Sequence, residues 1–380
     1  MTSIKFNEPY ITDKEIEYIK DVFLERRFYG SGKYTHLCEE KICSITRSRN
    51  VLLTDSCTSA LEIAALLLRD FSRRQEVIVP SYTFTSSASA FARAGFEIVF
   101  CEVNESDLMM DVEDVRAKIT EDTVAIVPVH YGGLCADIER ICELAKENNI
   151  FIVEDGAQAF GAYLGEKHLG TFGDFGCFSF HETKNVHCGL GGALVVNNQE
   201  FSEKARHIWE RGTNRQEVLK GLADKYSWVE IGGSFYPSEL QAAFLFAQLE
   251  SIDENMSSRK QIYKAYQLGL ADLRSLGKVW FPDIRDDYQT NYHAFFIIFD
   301  TELTTDNVRK FLLSKEVQAF IGYVPLHSSP VGLKMGNSPD SLPKTERIAK
   351  CILRLPLHNN MSASEAMRVC SIIGEYFDDK

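Results

Sequence analysis

From residue 50 onward, short apolar runs rich in β-branched residues alternate with stretches whose apolar positions recur at helical spacing. NVLLTDS (50–56) reads as a strand and SALEIAALLL after it as an apolar helix. EVIVPSYTF (76–84) is followed by a small-residue helix through Ala94 and then the strand FEIVFCEV. DVEDVRAKIT, AIVPVH, DIERICELAKENN and IFIVED continue the alternation. Strands that recur with helices between them need crossover connections, which predicts an α/β fold with a mostly parallel sheet and helices on both faces.

The texture changes near Ser238. Ser238 and Gln241 form a capping-box pair ahead of SELQAAFLFAQLESIDENMSSRKQIYKAYQLGLADL, a long helix or two joined near Asp253. Beyond it come the strand NYHAFFIIF, the helix TDNVRKFLLS, the stretch YVPLH and a terminal helix, SASEAMRVCSIIGEYF. A domain boundary is expected near residue 250, dividing a large domain (1–250) from a small one (251–380).

Composition narrows the function. At 380 residues, with 45% hydrophobic and 25% charged, the chain reads as an ordinary globular protein of two lobes. No run is apolar enough to span a membrane, and MTSIKFNEPYITDKEIEYIK lacks a signal-peptide layout, so a cytoplasmic location without membrane partners is expected. The net charge of −13 argues against nucleic-acid binding but leaves room for a small anion held by local donors. The ten cysteines form no C-x-x-C pair and the nine histidines no H-x-x-x-H, so reduced thiols and no metal are expected.

Ligands of open α/β sheets bind where strands end at their carboxyl side. After the first strand, Ser56-Cys57-Thr58-Ser59 opens a helix, which suits either ordinary N-capping or a phosphate cradle. After IFIV, Glu154 and Asp155 sit adjacent at a buried strand end, one as a helix cap or one as a charge awaiting a cationic partner. FGCFSF leads into His181-Glu182-Thr183-Lys184-Asn185, where Lys184 is either a solvated charge or a partly desolvated amine suited to covalent chemistry. GLGGA (189–193) lacks the G-x-G-x-x-G spacing and precedes a strand, so a nicotinamide cofactor has little support.

In order, SCTS, PSYTF, VEDGAQAFGA, SFHETKN with GLGGA, RGTNR (211–215) and YVPLH (323–327) resemble the DegT/DnrJ/EryC1/StrS sugar aminotransferases. The resemblance covers nearly the whole chain. It implies the aspartate-aminotransferase-like fold (fold type I) with pyridoxal 5'-phosphate as cofactor, a large domain and a smaller C-terminal α+β domain. It assigns Lys184 to the cofactor's covalent attachment, Asp155 to its pyridine nitrogen and Gln158 to its phenolic oxygen. Phe84 falls where an aromatic stacks on the ring, and Ser56, Cys57, Thr58 and Ser179 where the phosphate binds. Many relatives place an asparagine before the long helix, reaching the neighbouring subunit's phosphate; here Ser234 holds that position. Relatives with histidine in place of the lysine are dehydratases, and a non-catalytic regulatory member would lack lysine or aspartate; here Lys184 and Asp155 are present.

VLLTDSCTSALEIAALLL, VPVHYGG, GCFSFHETKN and DKYSW resemble the branch that aminates C4 of a dTDP-4-keto-6-deoxy sugar. L-glutamate is then the implied donor and cell-surface polysaccharide the destination. Amination at C3, or of another nucleotide sugar, would share every cofactor residue. His181, Tyr323, His327, Arg211 and Arg215 are candidates for substrate contacts, with pairing to nearby acids the alternative for the loop cations; His130 and Tyr131 are further candidates for the pocket wall. A homodimer or higher homo-oligomer is implied, with the active site at the interface.

Overall fold

The computed structural model describes residues 3–378. Seven strands form the central sheet: β1 (Val51–Thr54), β2 (Glu76–Pro80), β3 (Glu97–Cys101), β4 (Thr123–Ile126), β5 (Phe151–Asp155), β6 (Phe175–Ser179) and β7 (Gly192–Val196). Their spatial order is β1-β7-β6-β5-β4-β2-β3. β3, β2, β4, β5 and β6 pair in parallel, whereas β7 runs against both β1 and β6. The reversal follows from the connection: residues 180–191 contain no helix, so the chain turns back beside β6 instead of crossing over. That same connection carries Lys184 at the carboxyl edge of the sheet.

Helix α1 (Cys57–Phe71) follows β1 and packs its Ala60, Leu61, Ala64 and Leu68 into a core shared with Val77, Val153 and Phe175. Helix α2 (Ser86–Arg93) follows β2. On the other face, helices Lys14–Glu25 and Lys33–Thr46 cover α3 (Glu239–Glu250), with Cys38, Ile42, Ala242 and Leu245 in contact. The Ser238–Gln241 capping box is formed. The long helical stretch is two helices, α3 and α4 (Ile252–Gly269), meeting at Ser251.

α4 and the terminal helix α5 (Ala363–Asp378) enclose a second core with Ile262, Tyr266, Phe295 and Val369. Its sheet has β8 (Phe295–Ile298), β9 (Phe320–Ile321) and β10 (Ile352–Leu355), antiparallel in the order β8-β10-β9. Ile4 crosses into this core and pairs with Val317. We propose the break at Ser251 as the division between the lobes, with the N-terminal segment around Ile4 assigned to the second. YVPLH has no regular structure, and among the described residues no cysteines are bonded and no helix is long and apolar enough to cross a membrane.

Candidate active site

The carboxyl ends of β1, β5 and β6 open onto one cavity of about 470 Å³ between the two lobes. Ser56, Cys57, Thr58, Phe84, Asp155 and Gln158 all line it, as do Ser179, His181, Lys184 and Tyr323. Ten of the residues singled out from sequence therefore converge, from strand ends separated by up to 267 positions.

Ser56 caps α1: its Oγ accepts from Ser59 N at 3.1 Å and its carbonyl from Ala60 N at 3.2 Å. The first two amides of the helix, on Cys57 and Thr58, remain for a ligand, and the helix dipole favours an anion there. Thr58 Oγ1 adds a hydroxyl, 2.7 Å from Ser86 Oγ. Capping and phosphate binding are thus compatible readings of one sequence. β7 passes close to this turn: a Cβ on Gly192 would lie 2.4 Å from Cys57 N. The glycine run therefore serves, at Gly192, the approach of strand to helix start.

The adjacent acids point to opposite sides of β5, as strand alternation requires. Glu154 accepts from the amides of Gly170, Phe172 and Gly173 at 2.6–2.7 Å and from His130 Nε2 at 2.9 Å. It is wholly buried and structural. Asp155 faces the cavity, with Oδ2 accepting from Ser87 Oγ at 2.6 Å and Oδ1 from Ala157 N at 3.0 Å. Gln158 accepts from Gly132 N at 2.7 Å and donates to Tyr323 OH at 3.1 Å. Burial pushes the Tyr323 phenol up to about 12. Phe84 is exposed at the cavity mouth, 6.1 Å from the Tyr323 ring.

Lys184 Nζ has no hydrogen-bond or ion-pair partner among the described residues. Burial holds its ammonium below the ordinary lysine range; Asp155 and Cys57 oppose that shift, and Arg354 adds to it. An unpartnered amine with a raised neutral fraction, facing a carboxylate across an apolar cavity, suits covalent attachment of a carbonyl. The first-turn amides, Asp155 and Phe84 fit the phosphate, the ring nitrogen and the ring face of pyridoxal phosphate, so the residues present fit that cofactor.

Four of the residues named from sequence lie elsewhere. His327 is fully buried, its Nδ1 2.6 Å from Ser81 Oγ, and clamps its loop to the end of β2. Arg215 pairs with buried Glu210 at 2.6 Å. Arg211 donates to Tyr29 OH at 2.9 Å and lies over the Tyr236 ring. Ser234 is exposed and pairs with Glu210 through backbone, outside the cavity of its own chain. His130 and Tyr131 are also buried away from the cavity, His130 on Glu154 and Tyr131 against Tyr82.

Two titratable residues of the cavity wall were missed. Arg354, on β10, has its guanidinium over the Phe6 and Tyr323 rings, its Nε buried without a partner, and no ion pair among the described residues. Its signal was a lone charge in the apolar run CILRLPL. His293, just before β8, had no local signal.

The sequence profile of the DegT/DnrJ/EryC1/StrS aminotransferase family matches residues 9–374. GDP-perosamine synthase of Escherichia coli O157:H7 is 29% identical over 380 residues, all of both chains. Among solved structures, DesV of S. venezuelae is similar at 28% identity and TM-score 0.89, over 99% of each chain. Spr1654 of Streptococcus pneumoniae, in its PLP-form, has the same fold at 23% identity and TM-score 0.88, over 98% of each chain.

Proposed function

This chain belongs to the DegT/DnrJ/EryC1/StrS aminotransferase family, and on that premise we propose that it moves an amino group from L-glutamate to C4 of a dTDP-4-keto-6-deoxyhexose. The product would be dTDP-4-amino-4,6-dideoxygalactose, for cell-surface polysaccharide. The coarser activity, pyridoxal-phosphate-dependent sugar amination, comes with the family. What supports the finer reading is the wording of GCFSFHETKN and VPVHYGG for the sugar, and Arg354 for the donor.

Lys184 and Asp155 are the catalytic residues. Pyridoxal phosphate, when bound, supplies an electron sink for charge developing on the donor's α-carbon. The Cys57 and Thr58 amides, with the Thr58 and Ser179 hydroxyls, would hold its phosphate, Asp155 its ring nitrogen and Phe84 its ring face. Lys184 Nζ, kept partly neutral by burial, takes the α-proton of the amino donor and later returns a proton to the sugar carbon. Gln158, fixed between Gly132 and Tyr323, orients the ring's oxygen side. A guanidinium in the same cavity with no ion pair among the described residues suits a donor bearing carboxylates.

A second reading keeps the chemistry and changes the nucleotide. The relative at 29% identity is named for a GDP-linked sugar, so a GDP-linked keto sugar is the competing substrate. Absorbance before and after adding L-glutamate tests the donor half, with loss of the visible band expected. Product NMR with dTDP- and GDP-linked 4-keto sugars then separates the two readings, and amination of a 3-keto sugar with neither 4-keto sugar consumed overturns both.

The active assembly is proposed to be at least a homodimer. Leu222, Trp228 and Ile231 are 70–77% exposed on the segment that leads into Ser234. A second copy is the occupant that also brings Ser234 toward a phosphate. Sedimentation of a fully active monomer would overturn this.

A further inference from the structure

A ping-pong site must recognise two chemically unlike substrates in one cavity. Arg354 answers the first, because a carboxylate only accepts hydrogen bonds and a guanidinium only donates them. The second substrate presents hydroxyl groups around its reacting carbon, and these need an uncharged acceptor as well. Most acceptors in the cavity are engaged. Asp155 is held by Ser87 and Ala157, Gln158 Oε1 by Gly132, and Ser179 Oγ faces the His181 amide at 3.4 Å.

His293 lines the same cavity and is fixed at three of its polar atoms. Its amide donates to Asn291 Oδ1 at 3.1 Å, and its carbonyl accepts from Arg259 Nη2 at 2.7 Å. Its Nδ1 lies 2.9 Å from Asn185 Oδ1. The tautomer follows from the network. Asn185 Nδ2 donates to Asn291 O at 2.7 Å, so the atom it turns to His293 is the oxygen, and Nδ1 carries the proton. Nε2 therefore bears the lone pair, and it has no partner among the described residues. Burial beside the charges of Lys184, Arg259 and Arg354 keeps the ring neutral, well below the ordinary histidine range.

The fixing network is tied to the chemistry. Asn185 follows Lys184 in the chain and is held by Asn255, while Asn291 Nδ2 donates to the carbonyls of Gln158 and Phe160 at 2.9 and 3.0 Å. His293 thus sits in register with the lysine loop and with the Gln158 turn. We propose that His293 Nε2 accepts a hydrogen bond from a hydroxyl of the keto sugar, making it a specificity-determining residue of the sugar half of the reaction. This rests on the aminotransferase reading.

The test separates the halves. His293→Phe keeps the ring's bulk and removes the acceptor, and His293→Gln restores an acceptor at similar reach. Single-turnover amination of the keto sugar that the wild type uses should fall ~10- to 100-fold in His293→Phe and recover most of that in His293→Gln. The glutamate half-reaction, read by loss of the visible band, should stay within about threefold of wild type. Calorimetric binding of the same sugar nucleotide, on a Lys184→Ala background without turnover, should weaken by a similar factor. Equal losses in both halves, or unchanged sugar binding and amination, overturn the inference. If the wild type itself reacts with glutamate but aminates neither keto sugar, the functional reading falls and this inference falls with it.

Discussion

Ser87 Oγ, in the first turn of α2, donates a 2.6 Å hydrogen bond to Asp155 Oδ2 at the end of β5. A second hydroxyl, Thr83 Oγ1, lies 2.8 Å from Ser87, so the carboxylate is aimed by a chain of buried groups from the neighbouring strand's connection. Ser87→Ala leaves Asp155 with one amide donor and a freer rotamer. Turnover is expected to fall about tenfold, from the loss of one charge-assisted hydrogen bond. Cofactor affinity should drop with it while the melting temperature moves little, which steady-state kinetics, cofactor titration and calorimetry would check together.

Lys184 is proposed to carry the covalent and proton-transfer roles, and its amine has no hydrogen bond or ion pair to lose among the described residues. Lys184→Ala should therefore fold normally, lack the visible band of the lysine-bound cofactor and lose turnover by on the order of a thousandfold or more. Normal activity in that variant would end the assignment.

The residues that were legible in the sequence share one physical reason. In a mostly parallel sheet the polar residues just after β1, β5 and β6 fall on one edge, so Ser56, Asp155, Ser179 and Lys184 could be read as neighbours without coordinates. YVPLH shows where that logic stops. Tyr323 reaches the cavity and His327, four positions on, does not, because the stretch is irregular and no period fixes which side chain turns inward. Arg211 and Arg215 stood in sequence between substrate contact and pairing with nearby acids; folding gives Arg215 the acid Glu210 and Arg211 the Tyr29 hydroxyl. His293 depends on Asn185, 108 residues away, a pairing that no local pattern encodes.

Arg354 replaces those two arginines as the proposed carboxylate ligand. Arg354→Gln should raise the KM for L-glutamate on the order of a hundredfold, the scale of a charge-assisted pair of hydrogen bonds. Arg354→Lys should recover part of it, whereas Arg211→Gln should leave the donor half nearly unchanged. Stopped-flow titration of the visible band with glutamate distinguishes the three variants, and equal effects from Arg211 and Arg354 would sink the assignment.

Stability should depend on pH through a different histidine. His168 is buried among Phe160, Tyr163 and Phe178, with Nε2 accepting from Gly161 N at 2.9 Å and Nδ1 donating to Leu169 O. Burial lowers it from 6.5 to about 4. Between those values the unfolded chain binds a proton that the folded chain refuses, so the contribution is complete above the unfolded value and is lost as pH falls toward the folded one. Going from about pH 7.5 to about pH 5, this one group should cost about 2 kcal/mol of stability. Unfolding midpoints of the wild type and His168→Gln, measured at both pH values, check this. The wild type should lose more of its midpoint on acidification, because glutamine cannot take up the proton. Parallel losses in the two proteins would show that acid destabilisation runs through other groups.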